Sequence, residues 1–225
     1  MKIHIKQINM HVNTIVFDFD GVIINSRNIQ MNALKESYRK YVGNGEPPID
    51  EFFKLSGSRL DTIFTTLNLP LGMIDEYIKY STEHINDITI CDHMDNVLNN
   101  LKDQDFKIGL CTGKERLRTL QILERLHLSK YFNYVVCADE VINPKPHKES
   151  LIKCVNALNS DIKQTIMVGD SINDIRCAKN AGVLSVAVTW GEGLNEDLLE
   201  AAPDFIVHDS EELLQCVCSN YITIN

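Results

Sequence analysis

From residue 92 onward, short apolar runs typical of buried strands alternate with segments of helical periodicity. The helical segments lie at 97–101, 117–126, about 148–158 and 172–181. The runs between and after them predict strands at 107–111, 134–137, 165–168, 184–188 and 205–207. Parallel strands need crossover connections, and helices usually supply them. The alternation therefore predicts an α/β fold with a doubly wound parallel sheet.

An earlier apolar run, Thr14-Ile15-Val16-Phe17, ends in Asp18-Phe19-Asp20-Gly21. Such a run is typical of a buried parallel strand, and open α/β sheets bind ligands where their strands end. Residues two apart on a strand project to the same side, so we expect Asp18 and Asp20 to reach one cation or phosphate. Gly21 permits a sharp turn directly afterwards.

The segment from Asn25 to about residue 90 lacks strong strand-type runs and shows helical spacing instead. Helices are predicted at about 29–41, 49–55, 60–67 and 73–88, with breaks around Gly43, Gly57 and Pro70. This segment is therefore predicted to be an inserted helical unit.

The composition excludes several classes of protein. The chain has 225 residues, 44% of them hydrophobic, with a formal net charge of −9. That charge argues against nucleic-acid and anionic-membrane partners, which bind chiefly through basic patches. The first six residues alternate polar and apolar side chains, so we expect neither a signal peptide nor an anchor. Seven cysteines without a Cys-x-x-Cys pair indicate reduced, mostly structural thiols and a cytoplasmic protein.

Three further motifs follow the Asp18 segment in order: Leu110-Cys111-Thr112-Gly113, then Asn143-Pro144-Lys145-Pro146, then Val168-Gly169-Asp170-Ser171-Ile172-Asn173-Asp174. Together the four motifs resemble those of the haloacid dehalogenase superfamily, in its phosphoglycolate phosphatase and β-phosphoglucomutase branch. The resemblance covers nearly the whole chain. It implies a Rossmann-like core domain, residues 1–24 and 90–225, that carries a helical cap domain, residues 25–89.

The resemblance also implies roles for the acidic residues. Asp18 is the expected nucleophile, and Asp20 the acid that protonates the leaving group and then activates water. Unit charges about 4 Å apart repel by roughly 4 kcal/mol at an effective dielectric of 20, so converging carboxylates need a cation. Mg²⁺ suits oxygen ligands. By resemblance, Asp18, the Asp20 carbonyl and Asp170 bind it directly, while Asp174 acts through water or from behind.

Phosphate-binding and substrate-binding residues follow from the same motifs. Thr112, with Gly113 and Lys114, is expected to hold phosphate oxygens at a helix N-terminus. Lys145 is expected to stabilise charge on Asp18 and on the transferring phosphoryl group. In the inserted unit, Arg59 is a candidate substrate contact. Gly113 departs from the family pattern, in which asparagine or serine often follows the threonine.

The function that this resemblance implies is a Mg²⁺-dependent phosphatase that hydrolyses a small phosphorylated metabolite through an aspartyl-phosphate. We expect a monomer or homodimer. One alternative is a β-phosphoglucomutase-like sugar phosphomutase, since Gly57-Ser58-Arg59 is similar to that enzyme's cap loop. Another is a catalytically silent binding protein, although no nucleophile, acid or metal ligand is missing.

Overall fold

A parallel β-sheet forms the centre of the molecule. The structure, a computed structural model, describes residues 6–9, 12–193, 195–218 and 221–224. Its strands are β1 (Lys6–Asn9), β2 (Thr14–Phe17), β3 (Ile24–Asn25), β4 (Thr89–Ile90), β5 (Lys107–Cys111), β6 (Tyr134–Val136), β7 (Thr165–Gly169), β8 (Leu184–Val188), β9 (Phe205–Val207) and β10 (Tyr221–Ile224). Its helices are α1 (Arg27–Tyr41), α2 (Ile49–Lys54), α3 (Leu60–Thr66), α4 (Met73–Glu83), α5 (Met94–Asp103), α6 (Arg116–Arg125), α7 (Glu149–Ala157), α8 (Ile172–Ala181), α9 (Asn195–Ala201) and α10 (Ser210–Cys218).

Six strands pair in the order β6-β5-β2-β7-β8-β9, and all their pairings are parallel. The predicted α/β fold with a doubly wound parallel sheet is confirmed. Strands β5 and β6, which follow β2 in the chain, lie on one side of it, and β7, β8 and β9 lie on the other. The end of β2 is therefore a topological switch point. Phe17 aligns with Leu110 of β5 and Val168 of β7, so the residue after Phe17 lies between the ends of both neighbours.

Both faces of the sheet are covered, which explains why its central strands are apolar throughout. Ile15 and Phe17 belong to one buried cluster, whereas Val16 between them belongs to another. Successive strand residues point to opposite faces, so β2 contributes to both hydrophobic layers. The two layers hold the strand ends in a fixed register.

The helices α1 to α4 have a hydrophobic cluster of their own, built around Phe52, Phe53, Phe64 and Tyr77. The Phe52 ring meets those of Phe53 and Phe64 edge to face, at centroid distances of 5.5 and 6.3 Å. The short antiparallel pair of β3 and β4 joins the two ends of this helical segment. The predicted boundaries at 24/25 and 89/90 fall within that pair, and the division into two domains stays a prediction.

The predicted elements differ from the observed ones mainly at their ends. Helix α4 ends at Glu83 rather than near residue 88, and a 3₁₀ turn follows at Ile85–Asp87. Ile88 then packs into the cluster of the sheet, which explains why the apolar periodicity continued beyond the helix. Helix α9 had no counterpart in the sequence prediction. Residues 1–5 of the alternating N-terminal segment lie outside the described residues, and Lys6–Asn9 pairs antiparallel with β10.

Within the part of the chain that the structure describes, no helix is both long and apolar enough to cross a bilayer.

Candidate active site

The Asp18 carboxylate lies at the end of β2, where the backbone N–H of Asp18 donates to the carbonyl of Val168 at 2.9 Å. Its side chain is buried, and its Oδ1 accepts a hydrogen bond from Lys145 Nζ at 2.6 Å. The same ammonium lies 2.6 Å from Asp174 Oδ1 and donates to the Cys111 carbonyl at 3.1 Å. Lys145 therefore bridges two carboxylates that come from different motifs.

Burial dominates the electrostatics of this cluster. It raises the pKa of the Asp18 carboxyl well above its usual value; Lys145 opposes the rise, while Asp174 and Asp170 add to it. Burial alone would lower the pKa of the Lys145 ammonium, but its two carboxylate partners outweigh that effect and raise it. The lysine is therefore held in its charged form, as a stabiliser of negative charge requires.

Asp174 serves its own helix and the cluster at the same time. Its Oδ2 accepts from the Ser171 hydroxyl at 2.6 Å and from the Ser171 N–H at 3.2 Å, which completes a capping box at the start of α8. Its Oδ1 is the partner of Lys145. Both oxygens accept hydrogen bonds from the protein itself. The expectation that Asp174 acts through water or from behind stays a prediction.

Asp170 presents a free oxygen to the same cluster. Its Oδ2 accepts from the backbone N–H groups of Glu192 at 2.5 Å and Gly193 at 3.4 Å. Its Oδ1 is buried and has no hydrogen-bond partner among the described residues. Burial raises the pKa of this carboxyl well above its usual value, and Asp174 and Glu192 raise it further.

The acidic cluster fits a hard divalent cation. One carboxylate oxygen each from Asp18, Asp170 and Asp174 lies within 4.8 Å of the others, and all three residues are buried. An unpartnered buried carboxylate oxygen is costly unless a cation or donor meets it. All the donors are oxygens, which suits Mg²⁺ rather than a softer metal.

Asp20 faces a different set of partners. Its Oδ1 accepts from the Ser26 hydroxyl at 2.6 Å and from Gln30 Nε2 at 3.3 Å, and it lies 3.2 Å from Lys114 Nζ. The chain turns at Gly21, whose φ of +76° favours glycine. A Cβ at Gly21 would also lie 2.1 Å from Asp170 Oδ2, so the loop approaches Asp170 closely.

The expectation that Asp18 and Asp20 reach one cation or phosphate assumed strand geometry, and it stays a prediction. Strand β2 ends at Phe17, so the regular alternation does not extend to these residues. The Asp20 carboxylate is not part of the three-carboxylate cluster, although both aspartates line the same cavity. The turn at Gly21 redirects Asp20 toward Ser26 and Lys114.

A loop of the helical unit, Ser56-Gly57-Ser58, closes over this site. The Ser58 hydroxyl donates to the Lys145 carbonyl at 2.6 Å. From α8, Asn173 Nδ2 donates to the Ser56 carbonyl at 2.9 Å. A Cβ on Gly113 would lie 2.4 Å from the Ser58 carbonyl oxygen and 2.6 Å from that of Gly57. The loop thus packs against the core with almost no intervening space.

The cavity under this loop is small, at about 30 Å³. That volume holds one or two water molecules. Its lining combines groups from the sheet and the helical unit, including Asp18, Asp20, Ser58, Tyr77 and Lys114. A ligand larger than that would enter only if the helical unit opened.

The remaining predicted residues occupy different places. Gly113 and Lys114 line the cavity, whereas Thr112 is buried beneath it, with its Oγ1 accepting from the Lys114 N–H at 3.1 Å. Arg59 instead forms a two-pronged ion pair with Asp61 at 2.8 and 2.6 Å and lines a neighbouring cavity. Its contact with substrate stays a prediction.

The sequence reasoning missed two buried charged residues at the site. Glu192 lies in the loop after β8, where its carboxylate accepts from Gln30 Nε2 at 2.8 Å and lies 2.9 Å from the Ser26 hydroxyl. Burial raises the pKa of this carboxyl to about 8, and Asp20 adds to the rise. Arg118 of α6 also lines the cavity. An acidic residue between Gly191 and Gly193 at a strand end was a readable signal for Glu192.

Comparisons with known proteins agree with this geometry. A family model described as haloacid dehalogenase-like hydrolase matches residues 15–188. The pyrophosphatase PpaX of Bacillus pumilus is 30% identical over 211 residues, which cover 92% of this chain and 96% of the relative. A predicted phosphatase from Clostridium acetobutylicum superimposes with a TM-score of 0.79 at 26% identity, over 91% of this chain and 97% of that one. A haloacid dehalogenase-like hydrolase from Bacteroides fragilis has a TM-score of 0.82 at 22% identity, over 90% and 99% of the two chains.

Proposed function

The chain belongs to the haloacid dehalogenase-like hydrolases, and we propose that it is a Mg²⁺-dependent phosphatase acting on a small phosphorylated metabolite. The observation that carries this proposal is the buried Asp18 carboxylate. It lies at a topological switch point, 2.6 Å from Lys145, and lines a cavity together with Asp20. This arrangement provides a nucleophile, a cationic stabiliser and a proton carrier in one place.

Asp18 attacks the phosphorus atom and forms an aspartyl-phosphate, which water then hydrolyses. Its position at the end of a buried, double-sided strand holds the carboxylate still, and positioning of this kind supplies a large share of catalysis. The Lys145 ammonium is charged and already in contact with Asp18, so it stabilises negative charge without rearrangement.

Asp20 is suited to proton transfer. It lines the cavity but stands apart from the acidic cluster, with Ser26 and Lys114 orienting its Oδ1. We assign it the protonation of the leaving oxygen in the first step and the removal of a proton from water in the second. Ser26 at the start of α1 and Lys114 of the core keep the Asp20 side chain in place for both steps.

Asp18 and Asp170 would hold the Mg²⁺ ion, with Asp174 behind them. When bound, the ion neutralises the phosphoryl oxygens and so lets one anion approach another. The free Oδ1 of Asp170 supports this assignment, because a buried carboxylate oxygen needs a positive partner.

The substrates to be tried first follow from the relatives. The curated relatives are named as pyrophosphatases. Inorganic pyrophosphate and short phosphorylated acids therefore head the substrates to be tried.

The experiment compares wild type with Asp18→Asn, using Asp103→Asn, an exposed change at the end of α5, as the matched control. With MgCl₂ present, wild type and control should release phosphate from p-nitrophenyl phosphate or pyrophosphate. Asp18→Asn should lose activity by at least about 10⁴-fold, as removal of a nucleophile does. Acid-quenched wild type should also retain label from a ³²P-substrate, and the variant should not.

Three results count against the proposal. Retention of more than about a tenth of the activity in Asp18→Asn would remove the nucleophile assignment. Conversion of glucose 1-phosphate to glucose 6-phosphate faster than phosphate release would favour the phosphomutase alternative. Absence of any Mg²⁺-dependent turnover across a panel of phosphorylated metabolites would favour a silent protein.

A further inference from the structure

Arg118 is a buried cation that the proposed chemistry does not use. It lies on α6, with 4% of its surface exposed, and it lines the cavity that contains Asp18 and Asp20. A buried guanidinium is costly unless its donors are met, because it carries five N–H groups and cannot be deprotonated. The hydrogen bonds of Arg118 therefore show which of its donors remain unpaired.

Glu115 and Tyr77 satisfy only part of this side chain. Arg118 Nη2 donates to Glu115 Oε2 at 3.0 Å, and the Arg118 Cζ lies 5.9 Å from the Tyr77 ring centroid. Nε lies 2.8 Å from Glu115 Oε1, which makes an ion pair but not an aligned hydrogen bond. Nη1 is buried and has no hydrogen-bond partner among the described residues. One edge of the fork remains free.

Lys114 adds a second cation to the same lining. Its side chain is 7% exposed, and its Nζ lies 3.2 Å from Asp20 Oδ1. Lys114 and Arg118 come from one stretch of chain, so they stay together on the core when the helical unit opens. The Tyr77 ring on α4 faces Arg118, so closure of the helical unit brings an aromatic ring over the guanidinium.

We propose that Arg118, with Lys114, forms an anion subsite that binds a second anionic group of the substrate beside the transferring phosphoryl group. This inference rests on the proposed function and narrows its substrate class. The second group is a phosphoryl or a carboxylate, since a guanidinium edge matches the two oxygens of either. Because Arg118 and Lys114 line the same cavity as Asp18, the second group would lie close to the reacting phosphorus, as in pyrophosphate or phosphoglycolate. The subsite adds no chemical step.

The test measures selectivity rather than activity alone. For wild type, Arg118→Met and Arg118→Lys, kcat/KM is measured on pyrophosphate, on phosphoglycolate and on p-nitrophenyl phosphate, whose leaving group carries no second anionic group. The first two substrates distinguish a phosphoryl from a carboxylate. Arg116→Met is the matched control, because Arg116 lies on the same helix but pairs with Glu140 outside the cavity.

Arg118→Met should lower the ratio of kcat/KM on the preferred doubly anionic substrate to that on p-nitrophenyl phosphate by about 10- to 150-fold, the range for a charged hydrogen bond. Arg118→Lys should recover part of that loss, and Arg116→Met should keep the wild-type ratio. An equal loss on all three substrates would mean that Arg118 only supports the fold. A wild type without preference for either doubly anionic substrate would also overturn the subsite.

A binding measurement separates this inference from the proposed function. In Asp18→Asn with MgCl₂, calorimetry should show methylenediphosphonate binding at least about 10-fold tighter than methylphosphonate, and adding Arg118→Met should abolish the difference. Equal affinity for the two ligands, or binding of neither, removes the subsite. The proposed function stands or falls separately, on Mg²⁺-dependent phosphate release by the wild type and its loss in Asp18→Asn.

Discussion

The two regions that enclose the cavity, the strand ends of the parallel sheet and the helical unit, differ in the kinds of side chain they contain. At the carboxyl ends of the strands, Asp18 and Lys145 are buried and form an ion pair. Asp170 is also buried, and its Oδ1 has no hydrogen-bond partner among the described residues. The helical unit instead has an aromatic cluster. Its Ser56-Gly57-Ser58 loop contacts the site through neutral groups, such as the Ser58 hydroxyl and the Gly57 backbone.

This difference matches the two tasks of a hydrolase that excludes water. Charged catalytic groups must keep one geometry, and the register of β2 between β5 and β7 provides it. A closing element must break and remake its contacts, and neutral hydrogen bonds are each worth only about 1 kcal/mol net. The charged cluster therefore lies on the rigid part, and the Ser56-Gly57-Ser58 loop contacts that part through neutral groups.

Removing Lys145, the cation between Asp18 and Asp174, should have the largest effect. Lys145→Met leaves Asp18 and Asp174 without their shared partner, so kcat should fall by about 10²- to 10³-fold. Breaking a buried pair should also lower the free energy of unfolding by about 3–5 kcal/mol. Steady-state kinetics and urea denaturation check both effects. Lys148→Met, an exposed change nearby, should alter neither, and a similar loss there would deny Lys145 its special role.

Blocking the contact between the two regions should come next. Gly113→Ala places a Cβ 2.4 Å from the Ser58 carbonyl oxygen, so the Ser56-Gly57-Ser58 loop cannot pack fully against the core. We expect kcat/KM to fall by about 100-fold, the usual cost of a displacement near 1 Å. The melting temperature should change little, because the open form tolerates the methyl group. Leu117→Ala, exposed in the same segment, serves as control. Wild-type kinetics in Gly113→Ala would show that closure is not required.

Damage to the aromatic cluster should stay within the helical unit. Phe64→Ala removes a fully buried ring, at a cost of about 3–5 kcal/mol. Hydrogen exchange followed by mass spectrometry should show faster exchange across 27–83 and unchanged protection in β2 and β7. Equal loss of protection in both regions would mean that they unfold as one unit, against the predicted division into two domains.

The smallest effect concerns the thiols. All seven cysteines lie outside 25–89, so they report on the sheet region alone. Burial raises the pKa of Cys91 and of Cys137 to about 12, which leaves roughly 10⁻⁴ of each as thiolate at pH 8. Iodoacetamide should react slowly with both, about tenfold faster for each unit of rising pH. Phe64→Ala should leave these rates unchanged; rapid alkylation in that variant would link the two regions.

Much of the fold could be predicted from the sequence. The strands at 107–111, 184–188 and 205–207 have the predicted bounds, because a short apolar run between polar turns is typical of a buried strand. The meeting of Asp18, Asp170, Asp174 and Lys145 was expected from the order of four motifs, and the structure brings them together.

Other features could not be predicted because they depend on distances across the chain. Nothing adjacent in sequence signals that the guanidinium of Arg118 enters the cavity. Glu192 meets Ser26 although 166 positions separate them. The partner of Asp20 depended on a turn whose direction the strand alternation could not specify.

The sequence by itself determined which segments form the sheet and which acidic residues stand at strand ends, because periodicity and local turn chemistry are properties of neighbouring residues. Only the tertiary structure decided which of those charges share a cation site, which of them face the helical unit, and which buried donor remains unpaired. Those outcomes depend on how close separate segments come once packed, and at separations of 3–4 Å a small displacement decides between a hydrogen bond and none.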